Sequence, residues 1–202
     1  PVFDEAIYEL LLAKASEDFN WSEISPTIFG AVFESTLNPE TRRKGGMHYT
    51  SIENIHKVID PLFLDELRAE LDEIRQTPVQ RMRERRLKAF QDKLASLAFL
   101  DPACGSGNFL TETYLSLRKL ENEALEALQG GQIALGFEGA NPIKVSIGQF
   151  YGIEINDFAA TVAKTALWIA ESQMMKATED IVHMQLDFLP LKGYVNIVEG
   201  NA

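Results

Sequence analysis

The chain has 202 residues, enough for one domain with a sizeable core or one domain plus a small satellite. Its 46% hydrophobic and 24% charged residues are ordinary for a globular protein, and no stretch nears the roughly 18 consecutive apolar residues of a membrane span. A net charge of −11 argues against this chain holding nucleic acid tightly by itself, because such proteins present a basic footprint.

At the start, Phe3, Ile7, Leu10, Leu11 and Lys14 fall at helical spacing and predict an amphipathic helix. Asp4 and Glu5 stand where a signal peptide would carry basic residues. Ser25-Pro26 reads as a cap followed by proline in the first turn. Ile28, Phe29, Val32, Phe33 and Leu37 then form one apolar stripe, ended by Asn38-Pro39. Both helices read as packing elements.

Arg42-Arg43-Lys44-Gly45-Gly46-Met47-His48-Tyr49-Thr50 is a basic loop containing glycine. Thr50 and Glu53 have capping-box spacing for a helix that ends at Asp60-Pro61. Residues 64–97 predict a helical hairpin. Leu64, Leu67, Leu71 and Ile74 form its first stripe; Val79, Met82, Leu87, Phe90, Leu94 and Leu97 follow the break at Thr77-Pro78. The dense basic run, Arg81 to Lys88, lies on that second helix and reads as a solvated face. Residues 1–100 carry 13 Lys+Arg against 17 Asp+Glu, and residues 101–202 carry 6 against 13, so neither half is basic.

The stretch that organises the chain is Phe99-Leu100-Asp101-Pro102-Ala103-Cys104-Gly105-Ser106-Gly107-Asn108-Phe109-Leu110. It reads as a buried strand end, a glycine turn and the start of a helix. Pro102 pushes Asp101 toward extended backbone. Gly105 and Gly107 let the chain turn sharply and let a ligand approach the backbone. Asn108 opens a helix whose free N–H groups suit polar or anionic ligand groups. A P-loop is excluded, because Asn108 and Phe109 stand where Lys and Ser/Thr would. A dinucleotide fingerprint is excluded too, since Leu110 replaces the third glycine and the next acidic strand end, Glu154, comes much later. Cys104 is the single cysteine, so no internal disulfide is possible and a reducing cytoplasm is expected. There is no Cys/His cluster for zinc, and no metal is expected.

The helix from Phe109 continues through Leu110, Tyr114, Leu117 and Leu120 toward Gln129, where Gly130-Gly131 stops it. Residues 134–142 form a glycine-rich insert with weak strand character. Phe150-Tyr151-Gly152-Ile153-Glu154-Ile155 is the second strand, ending in a carboxylate able to accept from two ribose hydroxyls at once. Asn156-Asp157 caps a helix from Phe158 to Met174, whose Ala159, Ala163, Ala166, Leu167 and Ala170 make a small, close-packing face. Val195-Asn196-Ile197-Val198-Glu199 is the third strand, followed by Gly200-Asn201-Ala202.

Asp101 to Phe109 resembles the cofactor motif of the amino-group DNA methyltransferases, in particular the N6-adenine class of large restriction-modification enzymes. The resemblance implies S-adenosylmethionine as cofactor, bound through Asp101, Ala103, Cys104, Gly105, Gly107, Asn108 and Phe109. It implies that Gly46-Met47-His48-Tyr49-Thr50 closes over the methionine end, with Thr50 at its carboxylate. It further implies ribose hydroxyls on Glu154, adenine beside Ile155 and the exocyclic adenine amine on Asn201. The implied fold is α/β: a partial class I, Rossmann-like sheet of three parallel strands in the order 3-2-1 (residues 98–202) behind a helical N-terminal region (residues 1–97).

The chain departs from the family in one respect. The family's Asn/Asp-Pro-Pro-Tyr/Phe motif, which holds the target amine, is absent, because no Pro-Pro occurs anywhere. No catalytic residue is therefore assigned, and the chain reads as the cofactor-binding portion of a longer enzyme that reaches double-stranded DNA through other segments. Two other readings stay open at this point: a non-catalytic nucleotide-binding or assembly module, and an RNA or protein methyltransferase.

Overall fold

A computed structural model describes residues 50–129, 142–183 and 196–202, together with Asp4, residues 7–9, 24–28 and 30–32, and Leu186. The first two expected helices fall mostly outside the described residues. Ile7 to Glu9 and Ile28, Gly30, Ala31 and Val32 are helical where they are described. The basic loop at residues 42–49 and the insert at 134–141 lie outside them.

Helix α1 spans Ile52–Ile59. Its N-cap is Ser51, whose Oγ accepts from Asn54 N–H at 3.4 Å, so the cap sits one residue later than the Thr50–Glu53 spacing predicts. Asp60-Pro61 does not end the helix. Asp60–Leu64 forms one π turn, in which Asp65 N–H donates to Asp60 O five residues back. Pro61 would clash with the carbonyl four residues earlier in a regular helix, and the wider turn makes room for it. The chain then runs straight into α2, Asp65–Arg75. Leu64, Leu67, Leu71 and Ile74 are buried, as their spacing predicts.

Helix α3, Gln80–Ser96, buries Leu87, Phe90, Gln91 and Leu94. Val79 and Met82 face solvent instead, because the buried stripe begins at the level where α3 meets its neighbours. Arg86 to Glu73 (2.6 Å) and Lys93 to Glu70 (2.6 Å) lace α3 to α2.

Strand β1 is Phe99–Asp101, helix α4 is Asn108–Gln129, strand β2 is Phe150–Glu154, helix α5 is Asp157–Val182 and strand β3 is Asn196–Glu199. The sheet is parallel with β2 in the centre, which is the expected 3-2-1 order. The register sets Asp101 opposite Gly152 and Glu154 opposite Glu199, so β2 and β3 end level and β1 ends two residues earlier. α5 runs eight residues beyond the expected end at Met174, since Lys176, Ala177 and Glu179 carry no breaker; it stops at His183, whose φ is 52°.

Helix α4 is the spine. It packs against α1, α2, α3 and α5 and against β1 and β2. Tyr114 meets Phe150 edge-on at 5.6 Å, and Phe150 stacks on Phe99 at 5.3 Å. Ile55, Leu71, Leu87, Leu117, Phe150 and Leu167 belong to one continuous apolar core. Gly152 and Ile197 are buried on the same side of the sheet as Phe150, whereas Leu100, Tyr151 and Val198 on the other side are exposed. Among the described residues no helix is long and apolar enough to cross a membrane.

Candidate functional site

The carboxyl ends of β1 and β2 meet at the glycine turn. Gly105 and Gly107 have φ of 54° and 78°, conformations open to glycine at no steric cost. Gly107 is also pressed against α5: a Cβ there would lie 2.8 Å from Ala163 Cβ and 3.1 Å from Ala163 Cα. Gly152 holds the strand side of the turn, where a Cβ would meet Cys104 Sγ at 2.8 Å. The alanines of α5 and the glycines of the turn are thus two halves of one close approach.

Backbone bonds fix the turn. Cys104 N–H donates to Ile153 O at 3.0 Å, and Gly107 N–H donates to Cys104 O at 2.8 Å. The first regular bond of α4 runs from Thr111 N–H to Gly107 O at 2.8 Å. The N–H groups of Asn108, Phe109 and Leu110 therefore precede the helical ladder and point out of its positive end. Asn108 is buried, and its Oδ1 has no hydrogen-bond partner among the described residues.

Glu154 is the keystone. It is 7% exposed, not a solvated strand terminus. Its Oε2 accepts from Gly105 N–H at 2.8 Å and its Oε1 from Asn156 N–H at 2.9 Å. One carboxylate therefore ties the glycine turn to the start of the next loop. Two oxygens offer about four acceptor positions, so capacity remains for further donors. Asn156 Oδ1 accepts from Ala159 N–H at 2.9 Å and caps α5, as its sequence position predicts.

Asp101 Oδ1 accepts from Ala103 N–H at 3.0 Å, closing an Asx turn. Burial pushes the Asp101 carboxyl up, and the nearby Glu154 charge adds to the rise. No ion pair to Asp101 or Glu154 exists among the described residues. The same surroundings act on Cys104, whose thiol is pushed up to about 12 by burial first and then by Asp101 and Glu154. It is a neutral packing group, not a nucleophile.

The remaining expected residues are placed as follows. Gly200 N–H donates to Glu154 O at 2.9 Å, which sets Asn201, exposed, one residue from the β2 tip. Ile155 is 64% exposed directly after Glu154. Thr50 is half-buried just ahead of α1. Phe109, with Asp101, Val58, Leu62, Phe63 and Leu100, lines an apolar groove of about 310 Å³ beside β1.

Two features escape the sequence reading. Around Gly30, the N-terminal region approaches the turn so closely that a Cβ there would lie 2.4 Å from Ser106 Oγ and 2.8 Å from Asn108 Oδ1. His56 of α1 also joins Asp60 and Glu112. The four-residue spacing of His56 and Asp60 is a helical-pair signal, but Glu112 lies 56 residues away.

Residues 77–202 match the family described as MmeI, DNA-methyltransferase domain. DNA methyltransferase A of Bacillus subtilis is 42% identical over 173 residues, which are 86% of this chain and 18% of that protein. A putative type II restriction enzyme and methyltransferase of Methanocaldococcus jannaschii is 27% identical over 184 residues, 81% of this chain and 15% of that protein. The structure of the Type IIL restriction-modification enzyme MmeI in complex with DNA superposes with a TM-score of 0.82 at 44% identity, covering 98% of this chain and 25% of the other. The chain thus spans under a fifth of the length of the curated relatives it matches.

Proposed function

The chain belongs to the MmeI DNA-methyltransferase-domain family, and on that premise we propose that its two strand tips bind S-adenosylmethionine for methylation of adenine N6 in DNA, in a cytoplasmic restriction-modification enzyme. The observation that carries the reading is Glu154: a buried carboxylate, bound to the glycine turn by one oxygen, with no cation against it among the described residues. A ligand with ribose hydroxyls supplies neutral donors to its free lone pairs. Asp101 and Glu154 together make the tips negative, which suits a ligand carrying a sulfonium and an ammonium. The buried Asn108 Oδ1, without a partner among the described residues, and the open N–H groups of α4 are the complementary polar features.

In this reading Glu154 grips the ribose, Ile155 lies on the adenine and Asn201 takes its exocyclic amine. The glycine turn and Thr50 receive the methionine end. The cofactor supplies an electrophilic methyl carbon, and this chain's residues supply alignment and exclusion of water. Nothing here is assigned to hold the target amine, since the sequence has no Pro-Pro-aromatic motif. The target base leaves the DNA stack, and segments outside these residues receive it and grip the duplex. MmeI itself is described in complex with DNA, which supports DNA as the substrate of the whole enzyme.

Thermal shift with S-adenosylhomocysteine, ATP and NAD tests the proposal. Only the first should stabilise the chain, and Glu154→Gln should abolish that shift. Equal shifts with all three, or an unchanged shift in the variant, would refute the ribose assignment. Methyl incorporation by the isolated 202 residues would refute the absence of the transfer residues.

A further inference from the structure

Helix α1 reaches the glycine-turn helix through one polar contact. His56 Nδ1 lies 2.8 Å from Asp60 Oδ1, and His56 Nε2 lies 3.1 Å from Glu112 Oε1. Glu112 sits in the second turn of α4 and is 4% exposed. A neutral imidazole carries one N–H, so one nitrogen would face a carboxylate lone pair to lone pair. Imidazolium, with two N–H donors, satisfies both contacts. The carboxylates approach opposite nitrogens, so no single metal ion could gather all three groups, and no metal-binding cluster occurs among the described residues.

The surroundings reinforce the cation. On the same segment, Asp60 also accepts from Arg68 of α2 at 3.2 Å, and Arg68 pairs in turn with Asp65. From α4, Glu112 faces the ring and has no other ion-pair partner among the described residues. Lys57 is engaged elsewhere on α1, with Glu53 and Asn54. The ring therefore sees one acid from the π turn that follows its own helix and one from α4, with Arg68 sharing only Asp60. When the ring loses its proton it keeps one N–H at most, and a buried Glu112 or the Asp60 contact goes without.

We propose that His56 is a positioning residue: as an imidazolium it pins α1, and with it Thr50 and Ser51, to the helix that heads the glycine turn, so that affinity for the cofactor follows the protonation of this ring. The proposal rests on the S-adenosylmethionine reading for its ligand, but the bridge itself does not. The pKa of His56 is raised by the Asp60 contact first, with Glu112 adding to it against burial.

The test uses the 202-residue chain and two readouts. Long-range nitrogen-proton NMR of the imidazoles follows each ring against pH, with His56→Gln identifying the signal. Both nitrogens of His56 should be protonated at pH about 6.5, with a midpoint above the ordinary histidine value, and Glu112→Gln should lower that midpoint. Calorimetric titration with S-adenosylhomocysteine across the same range should show affinity falling about fivefold through the His56 midpoint, a coupling at the modest end of the usual range. In His56→Gln that step should vanish. A ring that titrates at or below its ordinary value, or a step that survives in His56→Gln, overturns the proposal. Failure of the ligand to bind at any pH refutes the cofactor reading and the coupling with it, while the ring titration still decides the bridge.

Discussion

Two buried glutamates sit at opposite ends of the spine, and they are built differently. Glu121, in the distal half of α4, is fully buried against Arg118, and its oxygens also accept from Lys144 N–H at 2.7 Å and Val145 N–H at 3.2 Å. Arg118 reaches on to Thr178 Oγ1 at 2.6 Å and Met174 O at 3.4 Å, joining α4 to α5. Burial pushes the Glu121 carboxyl up, and the Arg118 charge pulls it back. Glu154, at the other end, has only two backbone N–H donors and no cation among the described residues. A charge closed by an internal partner is structural; a charge left with open lone pairs beside an orphaned amide is a place for a ligand. The two ends therefore respond to substitution in opposite ways.

The largest stability effect is expected at the closed end. Arg118→Ala leaves Glu121 buried without its counter-charge and should cost about 3–5 kcal/mol in urea denaturation. Ligand affinity, measured on the fraction still folded, should be unchanged. At the open end, Gly107→Ala forces φ of 78° on an L residue and sets its Cβ against the Ala163 backbone, so it should cost about 1–3 kcal/mol and abolish the thermal shift with S-adenosylhomocysteine. A stable Gly107→Ala chain that still binds would break the contrast.

These two ends differ as much in how far the sequence reveals them. The glycine turn, Glu154, the Asn156 cap and the stripes of α2 and α4 are legible because each is a local pattern: a turn chemistry, a strand end or a helical period. Arg118 and Glu121, three residues apart on a helix, carry no local signal of burial, because Thr178 and Lys144 approach them only through the tertiary fold. Pro61 misleads for a related reason. Proline ends a regular helix, and nothing in the local sequence announces that a π turn carries the chain past it. Val79 and Met82 keep helical spacing yet face solvent, since periodicity gives a face without saying how much of it is covered.

Smaller changes sharpen the same contrast. Asn156→Ala removes the α5 cap next to Glu154 and should cost about 1 kcal/mol, while the ligand shift should persist because the backbone N–H that holds Glu154 Oε1 is kept. The smallest effect is the pH dependence of the α1 bridge. The raised His56 pKa means its contribution is complete below the unfolded histidine value and fades as pH rises through the folded one. Asp60 is held below the ordinary carboxylate value, chiefly by its hydrogen bond from His56, so its contribution is present above the unfolded value and fades as pH falls through the folded one. Protection of the α1 amides, taken relative to the intrinsic exchange rate at each pH, should therefore be greatest between those limits and fall on either side. His56→Gln should flatten the alkaline limb and leave exchange around Arg118 untouched.

The most direct test of the open carboxylate is a crystal structure of the chain with S-adenosylhomocysteine. The account predicts ribose hydroxyls within hydrogen-bond distance of Glu154, with its bonds to Gly105 N–H and Asn156 N–H retained and the amino-acid tail at the head of α4. A ligand seated away from the strand tips, with the carboxylate still bound to nothing but backbone, would contradict it.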